Sequence, residues 1–210
     1  SLSLSPSLSL PLSLYVHGAF MKHLQAVQVP LIVSVPWLPT QTARNDHLVE
    51  LVDIMPTIMA LSGVAGLSAQ EARSNPLSGR SLVPLLLNAS SSKAQNFALS
   101  QYPRRVKYPK EEWKSNSILH LNRSKFTHMG YTIRTEQWRY TEWAAWDGVG
   151  LQPMWSEPWN TTVNELYDHS KETLYPIDFD DRSETVNVVT MHERIAKNLS
   201  NMIRARFPSK

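Results

Sequence analysis

Between Met129 and Trp146 the chain reads MGYTIRTEQWRYTEWAAW, and no other stretch restricts the fold as strongly. Tyr131, Ile133, Trp138, Tyr140, Thr141 and Trp143 are β-branched or aromatic, the types that fit a pleated, half-buried surface. Only Glu136-Gln137 interrupts them, so the stretch is expected to fold as a β-hairpin turning at that pair. Alternation puts Tyr131, Ile133 and Thr135 on one face and Thr132 and Arg134 on the other. The first face is expected to be buried and the second to be a polar outer face. Aromatic strands are more often core than site, so the hairpin is first of all a structural element.

The rest of the chain supplies short elements to pack with it. Val29 to Pro36, VPLIVSVP, is an apolar run between prolines. It is expected to be a strand buried on both faces, and it is too short to span a membrane. His47 to Leu51 reads as a strand feeding a helix. Pro56 would break a helix that began at His47, so the helix starts late, with Asp53 as N-cap, Pro56 in the first turn and Gly63 as terminator. Ile54, Ile58 and Leu61 are its expected buried stripe. GRSLVPLLL, from Gly79 to Leu87, reads as a second short helix, again with an early proline.

Phe97 to Tyr102 is expected to be a strand closed by Pro103, followed by a basic loop to Lys114. Asp147 to Trp159 reads as irregular, Glu165 to Asp168 as a strand and residues 170 to 185 as loop. A helix from about Met191 to Phe207 closes the chain. Thr190 and Glu193 form its expected capping box, and Ile195, Leu199, Met202 and Ile203 its apolar face. Arg204 and Arg206 lie where the helix dipole favours cations. Four short strands and one amphipathic helix describe an α+β unit with a small antiparallel sheet covered on one face.

Residues 1 to 13, SLSLSPSLSLPLS, are an uncharged low-complexity tract, expected to be disordered. Its strict Ser/Leu alternation also suits a strand. It lacks the basic start and unbroken apolar core of a signal peptide.

Composition excludes several kinds of chemistry. A net charge of +3, spread along the chain, offers no basic face for nucleic acid. With no cysteine, the chain has no disulfide, thiolate metal ligand or cysteine nucleophile. Four sequons, at Asn88, Asn122, Asn160 and Asn198, are glycan acceptors if the chain enters the secretory pathway. His17, Lys22 and His23 in HGAFMKH gather two imidazoles and an ammonium suited to an oxyanion. Arg104, Arg105 and Lys107 after SQYP are a second cationic cluster with the same capacity. Asp178, Asp180 and Asp181 lack the glycine and closing glutamate of a calcium loop.

In order, HGAFMKH, VPLIVSVPW, ELVDIMPTIMALSGV, GRSLVPLL, ALSQYPR, MGYTIRTEQWRYTEW, ELYDH and DDRSETVN resemble the carboxy-terminal half of a sulfatase. The last hairpin and SQYPR resemble the iduronate-2-sulfatase branch. The resemblance covers about Leu14 to Phe207. It implies an alkaline-phosphatase-like α/β core, whose remnant would be residues 14 to 92, followed by an α+β subdomain over residues 93 to 210.

It further implies a sulfated-sugar substrate, a formylglycine nucleophile, a calcium ion and a lysosomal or secreted location. Lys22 would contact the substrate sulfate, His23 would line the same pocket, and Arg134 and Arg139 would border its uronate side. The family makes its nucleophile from the cysteine of Cys-x-Pro-Ser-Arg, which this chain lacks. Calcium ligands in the family include an Asp-His-Gly segment upstream of the HG match, where Tyr15-Val16 and the Ser/Leu tract stand here. The chain is therefore expected to be a sulfatase fragment without nucleophile or metal site, inactive alone. The alternative is a non-catalytic module that binds sulfated glycan or a partner chain.

Overall fold

The computed structural model describes residues 12–13, 30–38, 45, 47–63, 79–87, 96–104, 124, 126–156, 159, 164–170 and 184–209. The chain divides into two compact units, residues 1–98 and 99–210.

In the first unit, β1 (Leu12–Ser13) pairs antiparallel with β2 (Pro30–Leu31), setting Leu12 opposite Leu31. The Ser/Leu tract thus ends in a strand. The run after β2 is not buried on both faces as expected: Leu31 and Val33 are half-buried and Val35 buried, while Ile32 is 66% and Trp37 68% exposed. His47 to Leu51 is not a strand either. A 3₁₀ turn, Leu51–Asp53, leads directly into α1 (Ile54–Ser62), which ends at Gly63 with φ +65°, a left-handed geometry that glycine adopts without steric cost.

Asp53 starts the helix by a different route from the expected N-cap. Its backbone is already helical, and its carboxylate accepts the Glu50 N–H at 2.9 Å and the Arg80 N–H at 2.7 Å. One turn on, the Thr57 hydroxyl donates to the Asp53 carbonyl at 2.6 Å and accepts the Leu82 N–H at 2.8 Å. These bonds lay the GRSL segment along the helix start. Gly79 is required there, because a Cβ would stand 2.0 Å from the Val52 carbonyl oxygen. After this contact comes α2 (Val83–Leu87), and Val49, Leu82 and Leu85 form a small core with Leu31 against it. The face α1 buries carries Asp53 and Thr57; Ile58, expected in the buried stripe, is 56% exposed.

The second unit is a five-stranded antiparallel sheet with a helix. β3 (Phe97–Arg104) is an edge strand running through Pro103, beside β4 (His128–Thr135); an edge tolerates proline because its missing N–H can face away from the ladder. β4 pairs with β5 (Trp138–Asp147) from Arg134 opposite Arg139 to His128 opposite Ala145. The hairpin turns at Glu136-Gln137, as the sequence predicts. The far side of β5 is shared by β6 (Gln152–Met154), in the segment expected to be irregular, and β7 (Asn164–Asp168).

The closing helix, α3, runs Glu193–Arg206 and packs on β4 and β5. Thr190 is not its cap: His192 stands at that position, and the Met191 and His192 N–H groups both bond the Val188 carbonyl. The buried stripe is Ala196, Leu199, Ser200 and Ile203, with Met202 39% exposed. That is one residue round from the expected face.

Candidate functional site

The two faces of the β4–β5 hairpin are both closed, and each is closed around a buried charge. On the face toward α3 lie Tyr131, Ile133, Tyr140 and Glu142, fixed there by the register Tyr131–Glu142 and Ile133–Tyr140. The Glu142 carboxylate accepts the Tyr140 hydroxyl at 2.9 Å and Arg204 of α3 at 2.6 Å. The Trp159 indole N–H reaches the Tyr140 oxygen at 3.0 Å. Burial, with Glu142 alongside, drives the Tyr140 phenol far above its ordinary pKa, and burial alone pushes Tyr131 up to about 12. Tyr131 packs against Trp155 and Phe207, and the Trp155 N–H bonds the Phe207 carbonyl at 3.0 Å.

The opposite face, expected to be a polar outer surface, is buried as well. Thr132 and Thr141 are 3% and 0% exposed and share a 2.8 Å hydroxyl bond. Arg139 is 1% exposed. Its Nε and one terminal nitrogen grip the Glu184 carboxylate, the latter at 2.6 Å, and its other terminal nitrogen reaches Thr141 Oγ1 at 3.2 Å. Its guanidinium lies over Tyr167 at 4.8 Å. His169 Nε2 stands 3.3 Å from the same Glu184 carboxylate. This bidentate pair joins β5 to the segment after residue 183, and Tyr167 and His169 bring β7 and its end to the same point. Asn187 continues the seam: its side chain accepts the Leu166 and Val189 N–H groups and donates to the Asn164 carbonyl.

A buried Arg bound through both prongs of its fork is a cross-link and has no geometry for a substrate anion. The expectation that Arg139 borders a uronate pocket is therefore corrected: its guanidinium is turned inward to Glu184. Arg134 is folded onto its own hairpin turn, donating to the Thr135 and Glu136 carbonyls at 2.7 and 3.2 Å. Arg104 lies over the Trp143 ring at 5.1 Å. The pairs Arg139–Glu184 and Glu142–Arg204, which hold the sheet on both sides, join residues 45 and 62 apart and leave no local pattern in the sequence.

Lys22 and His23, the residues expected at the sulfate, lie outside the described residues, as do His17, Arg105, Lys107, Asp178, Asp180 and Asp181. Among the described residues, no group of three or more His, Asp or Glu is placed to hold a metal ion, and no helix is long and apolar enough to cross a membrane.

The fold is that of sulfatases and phosphonate hydrolases. A phosphonate monoester hydrolase from Silicibacter pomeroyi superposes with a TM-score of 0.56 at 19% identity, over 89% of this chain and 31% of that one. A 2-O GAG sulfatase superposes with a TM-score of 0.54 at 18% identity, over 90% of this chain and 31% of that one. The sequence points the same way. It is 27% identical to mouse arylsulfatase K over 180 residues, 86% of this chain and 25% of that protein. It is 31% identical to mouse iduronate 2-sulfatase over 166 residues, 65% of this chain and 27% of that enzyme. No protein-family profile matches. The chain is thus similar in sequence to sulfatases and similar in fold to part of sulfatases and phosphonate hydrolases, and it spans about a quarter of the length of the curated relatives it matches.

Proposed function

We propose that this chain is the carboxy-terminal part of a sulfate-ester hydrolase acting on sulfated sugars of the iduronate type, in a lysosomal or secreted setting. The observation that supports this reading best is the 31% identity to mouse iduronate 2-sulfatase. In this reading the Lys22 ammonium lies against the substrate sulfate and His23 lines the same pocket. A fixed cation there stabilises negative charge growing on the sulfuryl oxygens and on the leaving oxygen.

Among the described residues neither the family's formylglycine nor its calcium has a holder. In the family the formylglycine is made from the cysteine of Cys-x-Pro-Ser-Arg, and the chain has no cysteine; the described carboxylates and imidazoles form no metal-holding cluster. No step of the reaction is therefore assigned to either group. What this chain offers is substrate binding and orientation, and it is inactive alone.

The test is a chimera in which residues 14–210 replace the matching region of mouse iduronate 2-sulfatase, assayed on a sulfated disaccharide beside the isolated chain. The expected result is turnover by the chimera and none by the chain. Turnover by the isolated chain, or a chimera that folds and processes its nucleophile yet turns over nothing, contradicts the proposal.

A further inference from the structure

The sequon Asn198-Leu199-Ser200 lies inside α3, and its residues point to opposite sides of that helix. Asn198 is on the outer face with Glu193, Arg194, Lys197 and Asn201, all exposed; Glu193 and Lys197 form an i,i+4 pair at 3.6 Å with both side chains about half exposed. Ser200 is on the inner face at 2% exposure, where its hydroxyl bonds the Tyr140 phenol. A sequon is read through both its carboxamide and the hydroxyl two residues on. In folded α3 these groups are separated, one in solvent and the other in the core.

We propose that Asn198 is a glycosylation site modified on the nascent chain before α3 forms, and that the outer face of α3 is a glycan-bearing surface. The inference rests on the secretory setting proposed above. In the modification, Asn198 Nδ2 forms a bond to the anomeric carbon of a lipid-pyrophosphate-linked oligosaccharide. The anomeric C–O bond breaks, its electron pair leaves with the lipid pyrophosphate, and Nδ2 loses one proton. Folding then buries Ser200 against Tyr140 and leaves the sugar in solvent. Nothing on the buried stripe of Ala196, Leu199, Ser200 and Ile203 has to move to carry it.

The experiment is translation of the full chain behind a cleavable signal peptide with endoplasmic-reticulum microsomes, comparing wild type with Asn198→Gln, Ser200→Ala and Ser200→Thr. The nascent-chain readout does not depend on whether a variant folds. Wild type and Ser200→Thr are expected to carry one glycan more than Asn198→Gln and Ser200→Ala, the extra step disappearing with peptide N-glycosidase. Folded wild-type chain presented afterwards to the solubilised transferase is expected to stay unmodified at Asn198. Equal glycan numbers in all four chains overturn the proposal: with other sequons modified the secretory reading stands, and with none modified that reading fails too. Modification of Asn198 in the folded chain overturns the ordering of modification and folding.

Discussion

Arg139 shows how a residue's chemistry is decided by what it is buried against. With its fork closed on Glu184 and its plane on Tyr167, it binds the sheet together. Removing one partner leaves the other charge buried and uncompensated, which costs about 3–5 kcal/mol. Arg139→Met is therefore expected to lower the stability of the second unit by about that much, read by denaturant unfolding through tryptophan fluorescence. The double variant Arg139→Met, Glu184→Leu is expected to lose less than the sum of the two single variants. Full additivity would mean that the pair is not coupled.

The tyrosines give a second residue-scale prediction. Tyr131 ionises near 12, and Tyr140 and Tyr167 are also raised, chiefly by burial, against about 10 in an unfolded chain. A folded pKa above the unfolded value means that the native state holds its proton more tightly. The stabilisation is full below pH ~10 and is lost as pH climbs toward 12. Ultraviolet titration is expected to show a late, unfolding-linked phase beyond the ordinary tyrosines, and its absence would count against the burial of Tyr131 and Tyr140.

Elements were legible where the pattern was local. The hairpin turn at Glu136-Gln137, the late helix start before Pro56 and the Gly63 stop can all be read from neighbouring residues. His47 to Leu51 misleads because Leu48, Val49 and Leu51 are apolar without fixing a period, while the paired Glu50–Asp53 bonds tighten the chain into a 3₁₀ turn. The α3 face is shifted because Ser200, polar in sequence, finds the Tyr140 hydroxyl inside. The motifs VDIMPT and GRSL, which carry part of the sulfatase resemblance, prove to be two halves of one clamp. Thr57→Val strips the acceptor from the buried Leu82 N–H and is expected to cost about 1–3 kcal/mol. Gly79→Ala drives a methyl into the Val52 carbonyl and is expected to cost about as much through overpacking. Amide hydrogen exchange at Arg80 and Leu82 checks both, and unchanged protection at these amides would contradict the clamp.

On the scale of the molecule, the second unit is closed on both faces of its sheet, whereas the first exposes Trp37, Val52, Met55 and Ile58 at 68%, 49%, 58% and 56%. Exposed apolar side chains of this kind favour self-association. The isolated chain is expected to bind an apolar dye and to sediment as oligomers, and Trp37→Ser with Met55→Gln and Ile58→Gln is expected to reduce both. A sharp cooperative melt of a dye-free monomer would contradict this.

The pocket itself could not be read to the same depth. A sulfate contact such as Lys22 is a single cation whose meaning depends on residues far away in sequence, whereas the sheet declares itself through alternation. The measurement that bears most directly on the proposed function is the turnover of the chimera carrying Lys22→Ala. Loss of one fixed charge-stabilising donor is expected to lower kcat by about 10²–10³-fold, with Lys22→Arg less affected. An Ala variant that turns over sulfated disaccharide at the parental rate would contradict the role given to Lys22, and with it the proposal that this chain supplies part of a sulfatase active site.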